Sequence, residues 1–405
     1  MLRTTIINLV YAISFLDLFA IGLTFPLFSS HLRDLGVSHT LIGLLGSTYS
    51  GVQVLSGPLI GGWSDVRTRK SVLKTTLLVC TICYGLLGIT SSIYFIFVLR
   101  FILGIIKHTQ SICKAVISDI VPPSEQTVIF GRSAALGSFG FIIGPLIAGH
   151  LSEVRNGFTY VCALTALLFL INLGLAYFLP DESTKRKASN NQSILWGIKY
   201  EFRKVMKDLR SIDWNEHWST FLLRFLFGLS LSCFFSNQTL YLKEKYELSE
   251  RYTGYIVSYF STIGMVSAFF INLINNFYKT DYTCLIRLLH FFTILTVCFI
   301  CISISQSIWM FLILLVPFSI VSTSLRVVSM ELMLKQSDKS HRGSLSGASN
   351  SIMSIMRFIS PLLTGLVGDI FSGQYVMLVA VIPSSIGMGV SWYMKTSVKS
   401  DIKNK

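Results

Sequence analysis

Residues Ser14–Gly36 read SFLDLFAIGLTFPLFSSHLRDLG, an apolar run with Asp17 set among hydrophobic side chains. An ionisable group at bilayer depth costs about 2.5–3.5 kcal/mol on insertion scales, so such residues tend to face a water-filled path and to carry function. Working outward, apolar runs of similar length recur to the end of the chain. The pattern predicts about twelve spans, near residues 5–27, 40–62, 72–91, 93–117, 131–151, 157–179, 218–241, 252–275, 283–304, 308–333, 343–366 and 374–395. Each is long enough to cross the hydrocarbon core, and runs of this length satisfy their backbone in lipid only as helices. Charged residues make up 13% of the 405, against roughly 25% in a soluble domain, which sets the chain apart from soluble proteins.

The formal charge of +14 raises the question of nucleic acid, and its distribution answers no. Basic residues gather in alternate loops: Arg67, Arg69, Lys70 and Lys74; Lys185 to Arg210; Lys335, Lys339 and Arg342; and Lys395 to Lys405. The loops near Ser91 and Gln306 carry no charge. This positive-inside bias predicts cytoplasmic termini and a cytoplasmic central loop in a multi-pass protein of the plasma membrane or an organelle membrane. The first apolar run leads directly into further spans, so no cleavable signal is expected. The pairs Cys80/Cys83 and Cys298/Cys301 lie in apolar runs and read as packing cysteines, with no metal or cofactor expected. The sequon at Asn191 falls in the predicted cytoplasmic loop, and that at Asn237 at a span end.

The long polar stretch divides the chain. Residues 1–180 form a first six-span bundle, 181–216 a basic linker, 217–396 a second six-span bundle and 397–405 a tail. In the linker, Ile198, Phe202, Val205 and Leu209 repeat at helical spacing between basic residues, which suggests an amphipathic helix on anionic lipid or else a solvated linker. The two flanking halves echo each other. Gly131, Pro145 and Gly149 have counterparts 216 residues on at Gly347, Pro361 and Gly365. LRDLGVSHTLIG (32–43) matches LKEKYELSERYTG (242–254) after one insertion. A six-span unit used twice fits transporters built from repeats related by an axis along the membrane normal.

Four motifs stand in order: Asp17 with Gly22 and Pro26; GGWSDVRTRK at 61–70; RFILG at 100–104; and GFIIGPLIAG at 140–149. Together they resemble the major facilitator superfamily in its drug/proton antiporter branch. LDLFAIGLTFP is similar to the first span of tetracycline-efflux-type proteins. KHTQSICKAVISDI followed by FGRSAALGSFGFIIGPLIAG resembles the eukaryotic offshoot called major facilitator superfamily domain-containing protein 9. The resemblance implies an all-α membrane fold of two six-helix bundles. It also implies a monomer that moves a small-molecule substrate across the bilayer by alternating access, coupled to protons.

The family's loop pattern is G-x-x-x-D-R-x-G-R-K/R. Gly61, Asp65, Arg69 and Lys70 fit it, while Val66 and Thr68 depart from it. By resemblance, Asp65 approaches the N-terminus of the eleventh span and Arg69 pairs with Asp119, a gating latch that the departures would loosen. Gly140, Gly144, Pro145 and Gly149 give the fifth span a small-residue, bendable face, which in the family accompanies exchange-type transport.

In the fourth span Arg100, Gly104, Lys107, Ser111 and Lys114 form one helical stripe, with His108 beside it. Lys107 and His108 fall near mid-bilayer by rise per residue, and Lys114 near the inner surface. Arg100 matches the family's buried arginine, which is tied to proton coupling; a structural ion pair is the alternative. Lys107 reads as a cavity residue, or as a cation held by Asp17 or a carbonyl. His108 reads as a proton carrier or a packed neutral ring, and Gln110 as a partner of substrate or of a neighbouring helix. The second half adds Arg224, Arg326 and Arg357 at span depth, with Glu331 near the inner end of the tenth span. This excess of cations predicts an anionic or zwitterionic organic substrate. Asp17, Arg100 and His108 are the proton-coupling candidates, and Asp17→Asn is expected to abolish coupling and spare the fold. An uncoupled facilitator and a non-transporting receptor or scaffold on the same fold remain as rivals. No H-E-x-x-H, nucleophile elbow or P-loop is present, which argues against an enzyme or an ATP-driven pump.

Overall fold

The structure is a computed structural model that describes residues 2–180, 203, 214–279, 281–335 and 342–403. The expected amphipathic segment at 198–210 and the sequon at Asn191 lie outside the described residues, apart from the backbone at Arg203. The described residues are helical almost throughout. In chain order the helices are α1 (Leu2–Asp34), α2 (His39–Val66), α3 (Arg69–Ile89), α4 (Ile93–Ile106), α5 (Thr109–Ile120), α6 (Pro123–Ser152) and α7 (Gly157–Tyr177). There follow α8 (Trp214–Tyr246), α9 (Glu250–Phe269), α10 (Ile271–Asn276), α11 (Leu285–Ile304), α12 (Ile308–Lys335) and α13 (Arg342–Phe371). A 3-10 turn (Gly373–Tyr375) leads to α14 (Leu378–Lys403).

Among the described residues, ten helical segments are long and apolar enough to cross a membrane, with α4 and α5 counted as one. The second and eighth expected spans are present as the helices α2 and α9, but serine, glycine, threonine and glutamine dilute their hydropathy. Two expectations need correction. The fourth span is not one helix: it breaks at Lys107 and His108, whose backbone leaves the helical region (ψ 80° and 26°), so the predicted stripe does not continue through the break. The eighth span, expected at 252–275, is interrupted at Phe270 between α9 and α10. Neither break contains a proline or glycine.

The chain falls into two compact units. The first comprises Met1–Leu35, Thr48–Lys204 and Ser249–Ser261; the second comprises Gly36–Ser47, Val205–Leu248 and Thr262–Lys405. In the first, α1 is central and packs on α5, α6 and α7, while α3 lies on α7. In the second, α8 packs on α12, α13 and α14, and α11 on α12 and α14. Small residues set the closest approaches. A Cβ on Gly144 would stand 2.6 Å from the carbonyl carbon of Gly22, and one on Gly140 would stand 2.6 Å from the amide nitrogen of Phe19. The helix-five motif therefore lets α6 lie directly on α1, whose Asp17 is one turn away. Cys80, Cys83 and Cys298 are buried in helices and Cys301 is half-buried; all four are free thiols.

Candidate functional site

Asp17 is fully buried in α1, and Lys107 at the end of α4 is only 5% exposed. Lys107 Nζ donates to Asp17 Oδ1 at 2.9 Å, and Gln110 Nε2 donates to Asp17 Oδ2 at 2.9 Å and to the Ser14 carbonyl at 3.1 Å. Both carboxylate oxygens are thus occupied. The ammonium also lies 5.3 Å from the centre of the Phe169 ring, which receives a cation on its face. Of the alternatives for Lys107, the structure selects the pair with Asp17, and Gln110 is spent on α1. A buried pair of this kind persists because its geometry is good and its remaining lone pairs are hydrogen-bonded.

The break between α4 and α5 creates this arrangement. A helix end at membrane depth exposes carbonyls that lipid cannot satisfy. Side chains from α2 satisfy them here: Gln53 Nε2 donates to the Lys107 carbonyl at 2.9 Å, and Ser56 Oγ donates to the Gly104 carbonyl at 2.9 Å. With its proton given to Gly104, Ser56 accepts from His108 Nε2 at 2.8 Å, which assigns the Nε2–H tautomer to His108. Gln53 and Ser56 escaped the sequence reading. The signal was the polar run GSTYSGVQVLSG (46–57) inside a predicted span.

Arg100, on α4, has no ion-pair or hydrogen-bond partner among the described residues. Its guanidinium carbon lies 3.5 Å from the centre of the Phe28 ring and 5.6 Å from that of Tyr49, and its Nε is buried without a partner. The structural ion pair weighed for Arg100 is therefore not what the described residues show. Ser111 and Lys114, beyond the break, are exposed.

At the α2–α3 junction, Arg69 pairs with Asp65 at 2.5 Å and its Nε donates to Asp119 at 3.1 Å. Ser64 also accepts from Arg69. Gly61 has open space around it and Lys70 is half-buried. Pro145 and Gly149 pack on α9: a Cβ on Gly254 would strike the Pro145 carbonyl, and one on Gly149 would stand 2.9 Å from the Arg251 Cα.

In the second unit Arg224, 8% exposed, donates to the hydroxyl of Ser349 and, at 2.9 Å, to that of Ser329. Arg224 and Arg326 line a cavity of 590 Å³ with Val327, Met330, Glu331, Leu334 and Lys335. Arg326 is exposed and lies close enough to both Arg224 and Arg357 for each pair to repel. Arg357 is exposed and does not line this cavity. Glu331 is already neutralised: Arg287 contacts both its oxygens at 3.1 Å and Lys335 lies at 2.7 Å. Arg287, missed by the sequence reading, also meets Asp281 at 3.4 Å, and Asp281 caps the start of α11 by accepting from the Arg287 amide at 2.9 Å.

A family profile described as Major Facilitator Superfamily matches residues 9–294 and 220–405. The chain is 34% identical to the tetracycline resistance protein, class E, of Escherichia coli over 197 residues, covering 47% of this chain and 48% of that protein. The match thus spans about half the length of that relative. Among solved structures, a bacterial homolog to the human lysosomal transporter Spinster, inward-facing and unoccupied, superposes with a TM-score of 0.79 at 14% identity, covering 97% of this chain and 96% of that one. The human organic anion transporter MFSD10 (TETRAN) superposes with a TM-score of 0.65 at 17% identity, covering 96% and 99%. With its apolar helices, Gly-Pro helix-five motif and repeated six-span unit, the chain belongs to the Major Facilitator Superfamily and is an integral, multi-pass membrane protein.

Proposed function

We propose that this protein is a transporter that moves a small organic anion, or a zwitterion with an anionic group, by alternating access of its two six-helix repeats, with protons as the coupling ion. One observation carries the reading: Asp17 and Lys107 form a buried ion pair at a break in the fourth span. Intramembrane ionisable residues mark ion and substrate paths, and broken helices build the binding sites of secondary transporters. Parted from Lys107 and Gln110, Asp17 would be an unpaired charge among apolar side chains, and such groups neutralise by taking up a proton. Lys107 so released offers its ammonium to an anion. Arg100 stands as a second cation, and His108, its Nε2–H held by Ser56, has a free Nδ1 lone pair to accept a proton. The loop pair of Arg69 with Asp119 serves as the gating latch, and both termini face the cytoplasm. That a protein of this fold is an organic anion transporter supports the substrate class.

The test is flux into proteoliposomes against a panel of organic anions, with and without an imposed pH gradient. Asp17→Asn alone strands the Lys107 ammonium, so in that variant a loss of coupling would be entangled with a loss of stability. The informative variant is Asp17→Asn with Lys107→Met. Expected is loss of gradient-driven uptake in a protein that still unfolds cooperatively. Gradient dependence equal to wild type in the paired variant overturns the assignment of Asp17, and flux of organic cations only overturns the substrate class.

A further inference from the structure

We infer that the cavity on α8 and α12 selects organic anions carrying two negative charges at one end and an apolar body. The inference rests on the transporter reading above and narrows its substrate class. Its basis is a charge imbalance. Arg224 is buried, but its partners Ser329 and Ser349 are neutral hydroxyls, which satisfy its hydrogen bonds without cancelling its charge. Its second terminal nitrogen, Nη2, has no partner among the described residues. Arg326 lines the same cavity, also without a partner among the described residues, and Arg357, which does not line it, adds to its repulsion. The one carboxylate on the wall among the described residues, Glu331, is held by Arg287 and Lys335 and has no charge to spare.

Like charges in a partly buried site repel far more strongly than in water. A monoanion offsets one guanidinium; a dianion offsets both. The guanidinium fork suits the paired oxygens of carboxylate or phosphate, which adds geometry to charge. The rest of the wall selects for the body of the ligand. Val327, Met330 and Leu334 follow Arg326 along one face of α12, and the volume of 590 Å³ lies within the range of pockets for small organic molecules.

The experiment measures binding to the full-length protein in detergent by thermal shift and calorimetry. The probes are phthalate, its monomethyl ester and benzoate, which share an aromatic body and differ in charge. Phthalate is expected to bind about tenfold or more tightly than either monoanion, as one extra charge-assisted contact implies. Arg326→Gln, at an exposed position, is expected to bring phthalate to the level of its monoester. Equal binding of phthalate and monoester by wild type overturns the inference, as does an undiminished preference in Arg326→Gln. Either result leaves the transporter reading standing if pH-driven flux of a monoanion is observed. Loss of all anion flux, with cations carried instead, defeats both.

Discussion

Gly43 of α2 lies so close to the carbonyl of Pro361 that any Cβ there would collide with the oxygen. The same relation recurs between Gly254 of α9 and the carbonyl of Pro145. The repeat seen in the sequence therefore extends to how a glycine at the start of one helix seats on a proline near the middle of another. Replacing either glycine by alanine forces backbone apart, which overpacked sites resist at about 1–3 kcal/mol. Gly43→Ala and Gly254→Ala should each lower the midpoint of thermal unfolding, whereas Gly61→Ala, in open space, should not. Equal midpoints for all three would contradict the packing described.

The buried pair makes a second prediction. Lys107→Met leaves an uncompensated carboxylate and Asp17→Asn an uncompensated ammonium, each a loss of about 3–5 kcal/mol. The two together remove both charges and should recover most of that loss. A double-mutant cycle on unfolding in detergent measures the coupling; an additive result would mean that the two groups do not pair.

At the start of α2, His39 is buried between two carboxylates, with Nε2 3.0 Å from Glu244 and Nδ1 3.3 Å from Asp369. Asp369 also accepts from the backbone amides of His39 at 2.9 Å and Thr40 at 2.8 Å, which caps the helix. Asp369→Ala removes the cap and should cost about 1 kcal/mol or more. Faster amide exchange at His39 and Thr40 is the local signature, and unchanged exchange would count against the cap.

Ser56→Ala removes the donor to the Gly104 carbonyl and the acceptor of His108 in one step. A buried group left unpaired costs about 1–3 kcal/mol. The nitrogen chemical shifts of the His108 ring should report Nε2–H in wild type and a mixture of tautomers in the variant. A wild type protonated on Nδ1 would overturn the assigned network.

Arg287 contacts Asn275, Glu331 and Asp281 through its guanidinium, a fork that lysine cannot reproduce. Arg287→Lys should therefore lower stability nearly as much as Arg287→Gln. Full rescue by lysine would show that charge alone matters there.

The sequence made the helices legible because apolar length and positive-inside bias are local properties. The helix-five glycines were readable because fixed spacing carries them, and the pairing of Arg69 with Asp119 was expected only through the family resemblance. The break at Lys107–His108 was not: Ile105, Ile106, Lys107 and His108 include no helix breaker. What meets the freed carbonyls at the end of α4 is the supply of donors from Gln53 and Ser56, 54 and 48 residues before Lys107 and Gly104 respectively. Arg287 was overlooked for a similar reason. It sits where a span begins and looks like one more interfacial cation, until Glu331 and Asp281 are seen around it.

The interruption of the fourth span also places two opposite dipole ends at one depth. Lys107 caps the carbonyl end of α4, and Gln110, in the first turn of α5, holds Asp17. Partial negative charge thus gathers beside the ammonium and partial positive charge near the carboxylate. A continuous helix would offer neither, so the peptide backbone itself becomes the polar solvent for two ions inside a hydrocarbon slab.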